Sequence, residues 1–174
     1  MEGFWSHLLS TLAGGAIAIS GGFFAKFFSD YQERQSLKSA HAGELRANLD
    51  FLREFNRIER LRNLIRILET LPSVPQFFSV RPNKYEYNKV FIATANRLGM
   101  LRSPLPEQIV RAHYELQLMF ELLELNADLH QDPRAISIDP QENLNTHRNL
   151  LELMERFCTS TAELIDRLED AKAN

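Results

Sequence analysis

Cysteine is nearly absent from this 174-residue chain: Cys158 stands alone, so no intrachain disulfide can form, which fits a reducing compartment. A basic excess is missing as well. The net charge is −3 and the pI is near 6.0, which argues against a nucleic-acid partner. No alternating β-branched stretch competes with the helical pattern, and no 20–50-residue period or low-complexity tract appears. Two more absences are local. Proline does not occur before Pro72, and from Leu8 to Ala25 there is no charged residue.

Recognisable catalytic patterns are also lacking. The histidines are His7, His41, His113, His130 and His147, and none has a glutamate three residues before it, as a carboxylate-bridged di-iron bundle requires. There is no HExxH, and one cysteine cannot build a thiolate zinc centre. His41 and Glu44 share a helix face and read as a surface contact. His147 reads as a satisfied core or rim histidine. No Gly-x-Ser-x-Gly elbow, phosphate loop or dinucleotide fingerprint is present. The expectation is a protein without catalytic residues, cofactor or metal, and not an enzyme.

What is there begins with the run Leu8–Phe28, LLSTLAGGAIAISGGFFAKFF. Its length matches the roughly twenty apolar residues needed to cross a hydrocarbon layer about 30 Å thick, and Lys26 lies close enough to one end to snorkel. The run predicts a single membrane-spanning anchor over 1–29, followed by a helical domain over 30–174. Met1–His7 contains no Lys or Arg, whereas Lys26, Arg34 and Lys38 lie at or beyond the other end. That asymmetry predicts an outward N-terminus and a cytoplasmic C-terminal domain at an inner membrane of bacterial type. Gly14, Ala18, Gly21 and Gly22 fall on one side of the span as a small-residue face, predicting self-association into a homo-oligomer. A secretory signal peptide would want a basic leader, and an interfacial helix would want a charged face; neither is present.

Behind the span, Leu45, Leu49, Leu52, Phe55, Ile58, Leu61, Ile65 and Leu68 recur at helical spacing, with a break expected within 29–43. Pro72, Pro75 and Pro82 make 72–82 a connection. A short helix follows from about Asn83 to a terminating Gly99. The next begins at Ser103-Pro104 and ends at Asp132-Pro133, with one stripe of Ile109, Ala112, Leu116, Phe120, Leu123 and Ala127. Its second stripe is Leu118, Leu122, Leu125 and Leu129. Asp139-Pro140-Gln141-Glu142 is a strong helix start, leading into a seam through Leu144, His147, Leu151 and Met154. The fold class expected is all-α: one transmembrane helix, then an antiparallel four-helix-type bundle.

Two surfaces are candidates for contact with a partner. Phe77 and Phe78, in the loop VPQFFSV, either plug the bundle or dock an unknown protein. Arg46, Arg53, Arg57 and Arg60 fall within roughly 60° on one helix and could meet anionic lipid or an acidic partner; Asp50 and Glu54 interleave. The functional expectation is a membrane-anchored bundle acting through oligomerisation and protein–protein interaction. A membrane-permeabilising effector, in which assembled spans open a pore, is the alternative.

Overall fold

A computed structural model describes the backbone of residues 2–71, 78, 87–131 and 139–170, with side chains from Ser20 onward except at Phe55, His130 and Gln131. Among the described residues every regular element is helical: α1 (Glu2–Arg53), α2 (Arg57–Thr70), α3 (Lys89–Thr94), α4 (Leu105–Gln131) and α5 (Pro140–Asp170). Two 3₁₀ turns, Glu54–Asn56 and Ala95–Met100, complete the set. The chain forms two compact units, Met1–Leu37 and Lys38–Asn174.

In the first unit, α1 is continuous, and every described side chain from Ser20 to Ser29 is exposed. The break expected within 29–43 is therefore not there. Nothing in that interval forbids helix, since proline is absent and Gly43 costs only about 1 kcal/mol relative to alanine. The interruption falls instead at Glu54–Asn56, where Asn56 adopts a left-handed backbone with φ 50°. Asparagine tolerates that conformation better than most residues because its short amide bonds locally.

The second unit is a bundle, and its helical packing follows from the apolar stripes. On α2, Leu61, Ile65 and Leu68 are buried; on α4, Ile109, Ala112, Leu116, Phe120, Leu123 and Ala127 are. α5 buries Asn143, His147, Leu150, Met154, Phe157, Thr161, Leu164, Ile165 and Leu168. In its first turns Asn143 and Leu150 are buried where Leu144 and Leu151 were expected, both of which are half-buried, while His147 and Met154 are buried as the seam implies. The Asp139 cap forms as the sequence implies: its Oδ1 accepts the Gln141 N–H at 3.0 Å.

Side-chain pairings fix the helix directions. Arg62 meets Glu155 and Arg148 meets Glu69, both at 2.6 Å, so α2 and α5 run antiparallel. Arg46 reaches Glu169 at 2.8 Å, which sets the end of α1 antiparallel to α5 as well. Glu44 lies beside His113, and the Phe51 and Phe120 rings are 5.5 Å apart, so this stretch of α1 runs parallel to α4. The expected up-down four-helix order is thus corrected. α1 and α2 continue in one direction past Asn56, and the chain returns through 71–104 to start α4 in that same direction. The short helix is also briefer than expected. α3 has only six residues, and Gly99 sits inside a 3₁₀ turn without positive φ, so it is not a left-handed helix stop.

Candidate functional site: a buried His–Glu–His cluster

The end of α1, the start of α3 and the first turns of α4 bring a group of polar side chains together inside the bundle. His41 is 0 % exposed and His113 1 %, with Glu44 nearly as buried. His41 and Glu44 are one helical turn apart on α1. His113 joins them because it lies on the inward stripe of α4 between Ile109 and Leu116. One ligating atom from each of the three lies within 4.8 Å of the other two, and His113 Nε2 is 3.6 Å from Glu44 Oε2. The surface contact expected for His41 and Glu44 is therefore an interior one. Tertiary packing of α4 against α1 covers the face that the helix alone would leave wet.

Glu44 has a structural task. No side chain of Asn88, the residue before α3, caps that helix. Glu44 caps it from α1 instead: Oε1 accepts the Val90 N–H at 2.7 Å and Oε2 the Phe91 N–H at 3.0 Å. A carboxylate at a helix N-terminus satisfies donors that the helix cannot satisfy internally. Asn48, one turn on, donates to the Tyr87 carbonyl at 3.0 Å and so fastens the approach to α3. Burial nonetheless raises the Glu44 pKa above the ordinary carboxylate value, with the two backbone bonds opposing that rise.

Hydrogen-bond accounting assigns the histidine tautomers. The Thr94 hydroxyl donates to the Val90 carbonyl at 2.7 Å, so at 3.0 Å it is the acceptor for His41 Nε2–H. That leaves the lone pair of His41 on Nδ1, which is buried without a hydrogen-bond partner. His113 Nδ1–H donates to Asn88 Oδ1 at 2.6 Å, leaving its lone pair on Nε2, likewise buried without a partner. Both rings are kept neutral. Burial pushes the His41 pKa down to about 4 and that of His113 to about 3, with repulsion from His41 adding to the latter. Phe91 walls the group, stacked on His113 at 4.3 Å and edge-on to His41 at 6.4 Å.

Beside the cluster lies a cleft of about 450 Å³, lined in part by Glu44, Asn48, Phe51, Tyr87, Lys89 and Phe120. Glu44 belongs to both. The carboxylate is the bridge between an enclosed pair of imidazoles and an open, largely apolar hollow.

His147 is satisfied, as expected of a core histidine: Nδ1–H donates to the Asn143 carbonyl at 2.7 Å, and Nε2 accepts the Phe78 N–H at 3.2 Å. Phe78 is 5 % exposed, so its ring belongs to the core and offers no docking surface; Phe77 lies outside the described residues. Burial raises the pKa of Cys158, which favours the protonated thiol.

The arginine group is dispersed. The break at Glu54–Asn56 puts Arg46 and Arg53 on α1 and Arg57 and Arg60 on α2, so the four belong to two helices instead of one. Arg46 is paired with Glu169, and Arg57 lies 3.5 Å over the Phe51 ring. Of the small-residue face, Gly14 and Ala18 have no described side-chain surroundings, while Gly21 and Gly22 face open space within 4 Å.

Phe23, Phe24, Phe27 and Phe28 are 61–71 % exposed on α1, with Tyr31 at 45 %. Among the described residues no helix is long and apolar enough to cross a membrane. The described side chains open at Ser20, well inside the apolar run Leu8–Phe28. Val110, Tyr114, Leu118 and Leu125 on α4 are exposed as well, so the second stripe of that helix is only partly covered. No protein-family model, no curated protein and no solved structure gives a significant match to this chain.

Proposed function

We propose that this chain is a single-pass, membrane-anchored helical-bundle protein that acts by oligomerisation and protein–protein interaction at an inner membrane. In this reading residues 1–29 are the anchor, the N-terminus faces outward, and the bundle lies in the cytoplasm. The observation that carries it is the row of four phenylalanines on α1 with 61–71 % of their surface uncovered. Fully burying a phenylalanine is worth about 1.5–3 kcal/mol, so moving the uncovered parts of these four out of water contributes about 4–8 kcal/mol. Contiguous apolar surface of that size on a helix marks contact with lipid or another protein. The run it belongs to carries no charge from Leu8 to Ala25, which favours lipid.

Self-association is assigned to Gly14, Ala18, Gly21 and Gly22. Small residues let a second helix approach closely in lipid, where no hydrophobic force draws helices together. The space around Gly22 is open, so a leucine there fits the single chain and interferes only with a neighbour.

Two measurements test this reading. Fractionation should recover the intact chain in carbonate-washed membranes and release it only with detergent. Crosslinking in those membranes should give oligomers that diminish in Gly14→Leu/Gly22→Leu. Intact protein in the soluble lysate rejects the anchor; oligomers unchanged in the double variant reject the glycine face.

A further inference from the structure

We propose that His41, Glu44 and His113 form a binding site for one divalent transition-metal cation of the zinc or cobalt type. The site goes beyond the membrane-anchored reading and does not depend on it.

Three features of the geometry point to a cation. First, the atoms that the cluster leaves without a donor are acceptors. The tautomers set by Thr94 and Asn88 leave lone pairs on His41 Nδ1 and His113 Nε2, while Glu44 presents a carboxylate oxygen 3.6 Å from the latter. The carboxylate has the Val90 and Phe91 N–H groups, but the two ring nitrogens have no donor, and buried acceptors left so are costly unless an electrophile reaches them. Second, the two nitrogen atoms are buried and without partners on side chains that are 0 % and 1 % exposed. Third, each ring's other nitrogen is fixed by an oxygen acceptor, the Thr94 hydroxyl for His41 and the Asn88 amide for His113. Metal-binding histidines carry this outer support as a rule, because it fixes the tautomer and aims the ring.

The donor set selects the ion. Two imidazoles and one carboxylate suit zinc, cobalt or ferrous iron; calcium and magnesium prefer oxygen donors throughout. Ligand bonds of about 2.0–2.1 Å put tetrahedral donors roughly 3.3 Å apart. The observed spread of up to 4.8 Å therefore has to shrink by about 1.5 Å at most. Small shifts of all three side chains have to supply that, and each Glu44 oxygen keeps a second lone pair for the ion while accepting from Val90 or Phe91. Three protein donors leave one coordination position, and Glu44 also lines the neighbouring cleft. The rival occupant is a proton on Glu44, shared with His113.

The test uses the full-length chain in detergent, stripped with a chelator and titrated with Co²⁺ and then Zn²⁺. Co²⁺ should bind one per chain with visible d–d absorption, and Zn²⁺ should displace it. At about one hundred times the dissociation constant the melting temperature should rise by about 5–10 °C. Glu44→Gln keeps the shape of the side chain and should abolish the absorption and the shift while circular dichroism stays helical. Thr94→Val, which only loosens the aim of His41, should weaken Zn²⁺ binding by about 10–100-fold. His147→Asn, outside the cluster, should bind as the unsubstituted protein does. Absence of stoichiometric binding by the unsubstituted chain overturns the proposal in favour of the shared proton. Binding retained in Glu44→Gln, or lost equally in His147→Asn, overturns it too.

Discussion

Removing the Glu44 carboxylate should free α3 from the rest of the bundle. In Glu44→Ala the N–H groups of Val90 and Phe91 lose acceptors at 2.7 and 3.0 Å, and neither the helix nor Asn88 supplies a replacement. An unsatisfied buried donor costs about 1–3 kcal/mol, so two set a range of about 2–6. Two effects reduce it. The adjoining cleft can admit water to the freed donors, and the substitution also removes a carboxylate whose burial is itself unfavourable. A net loss of about 2 kcal/mol is expected without metal. That is a sizeable part of the roughly 5–15 kcal/mol that holds an ordinary domain folded. Urea unfolding with chelator present measures the loss, and hydrogen exchange at Val90 and Phe91 localises it. Unchanged stability together with unchanged protection at those two amides would refute the capping role, and with it the account of why a carboxylate is buried here.

The other expectations concern separate parts of the bundle. Leu116→Ala should cost about 3–5 kcal/mol because the side chain is 0 % exposed, whereas Leu118→Ala, 37 % exposed, should cost less than about 1; equal losses in urea unfolding would mean that α4 is rotated from the orientation described. Asp139→Ala should cost about 1 kcal/mol by removing the α5 cap, and no change in melting would show that Pro140 suffices. His147 makes stability depend on pH. Burial lowers its pKa in the folded chain below the ordinary 6.5, so below about 6.5 the unfolded state takes up a proton that the folded state refuses. Stability from this residue is thus fully present above about pH 6.5 and falls as the solution is acidified toward the lowered value, by at most about 1.4 kcal/mol per pH unit. The cause is burial, which the Nδ1–H bond to the Asn143 carbonyl opposes without reversing; a proton on Nε2 would also face the Phe78 N–H. The difference in unfolding free energy between the unsubstituted chain and His147→Gln should therefore shrink between pH 7.5 and 5; a constant difference would contradict this origin.

The sequence by itself determined the helical class, the apolar character of the run from Leu8, the cap at Asp139, the inward stripe of α4 and most of that of α5. Each is a local matter, fixed by spacing along one helix or by the stereochemistry of a few neighbouring residues. Asn56 carried a readable hint of the break, as a residue that tolerates positive φ, whereas nothing within 29–43 forbids helix. The cluster was half legible. His41 and Glu44 are one turn apart on any helix, and His113 lies on the inward stripe beside Ile109, yet 69 positions separate Glu44 from it. Only the packing of α4 parallel to α1 could bring the two together, and parallel packing depended on the chain returning through 71–104 instead of turning back at once. Phe78 is buried with its N–H on His147 of α5, a contact that spans 69 positions of the chain and that spacing along one helix does not reveal. Tertiary structure also decided where each imidazole keeps its proton, because a tautomer follows from which oxygen is in reach, and sequence spacing does not say that.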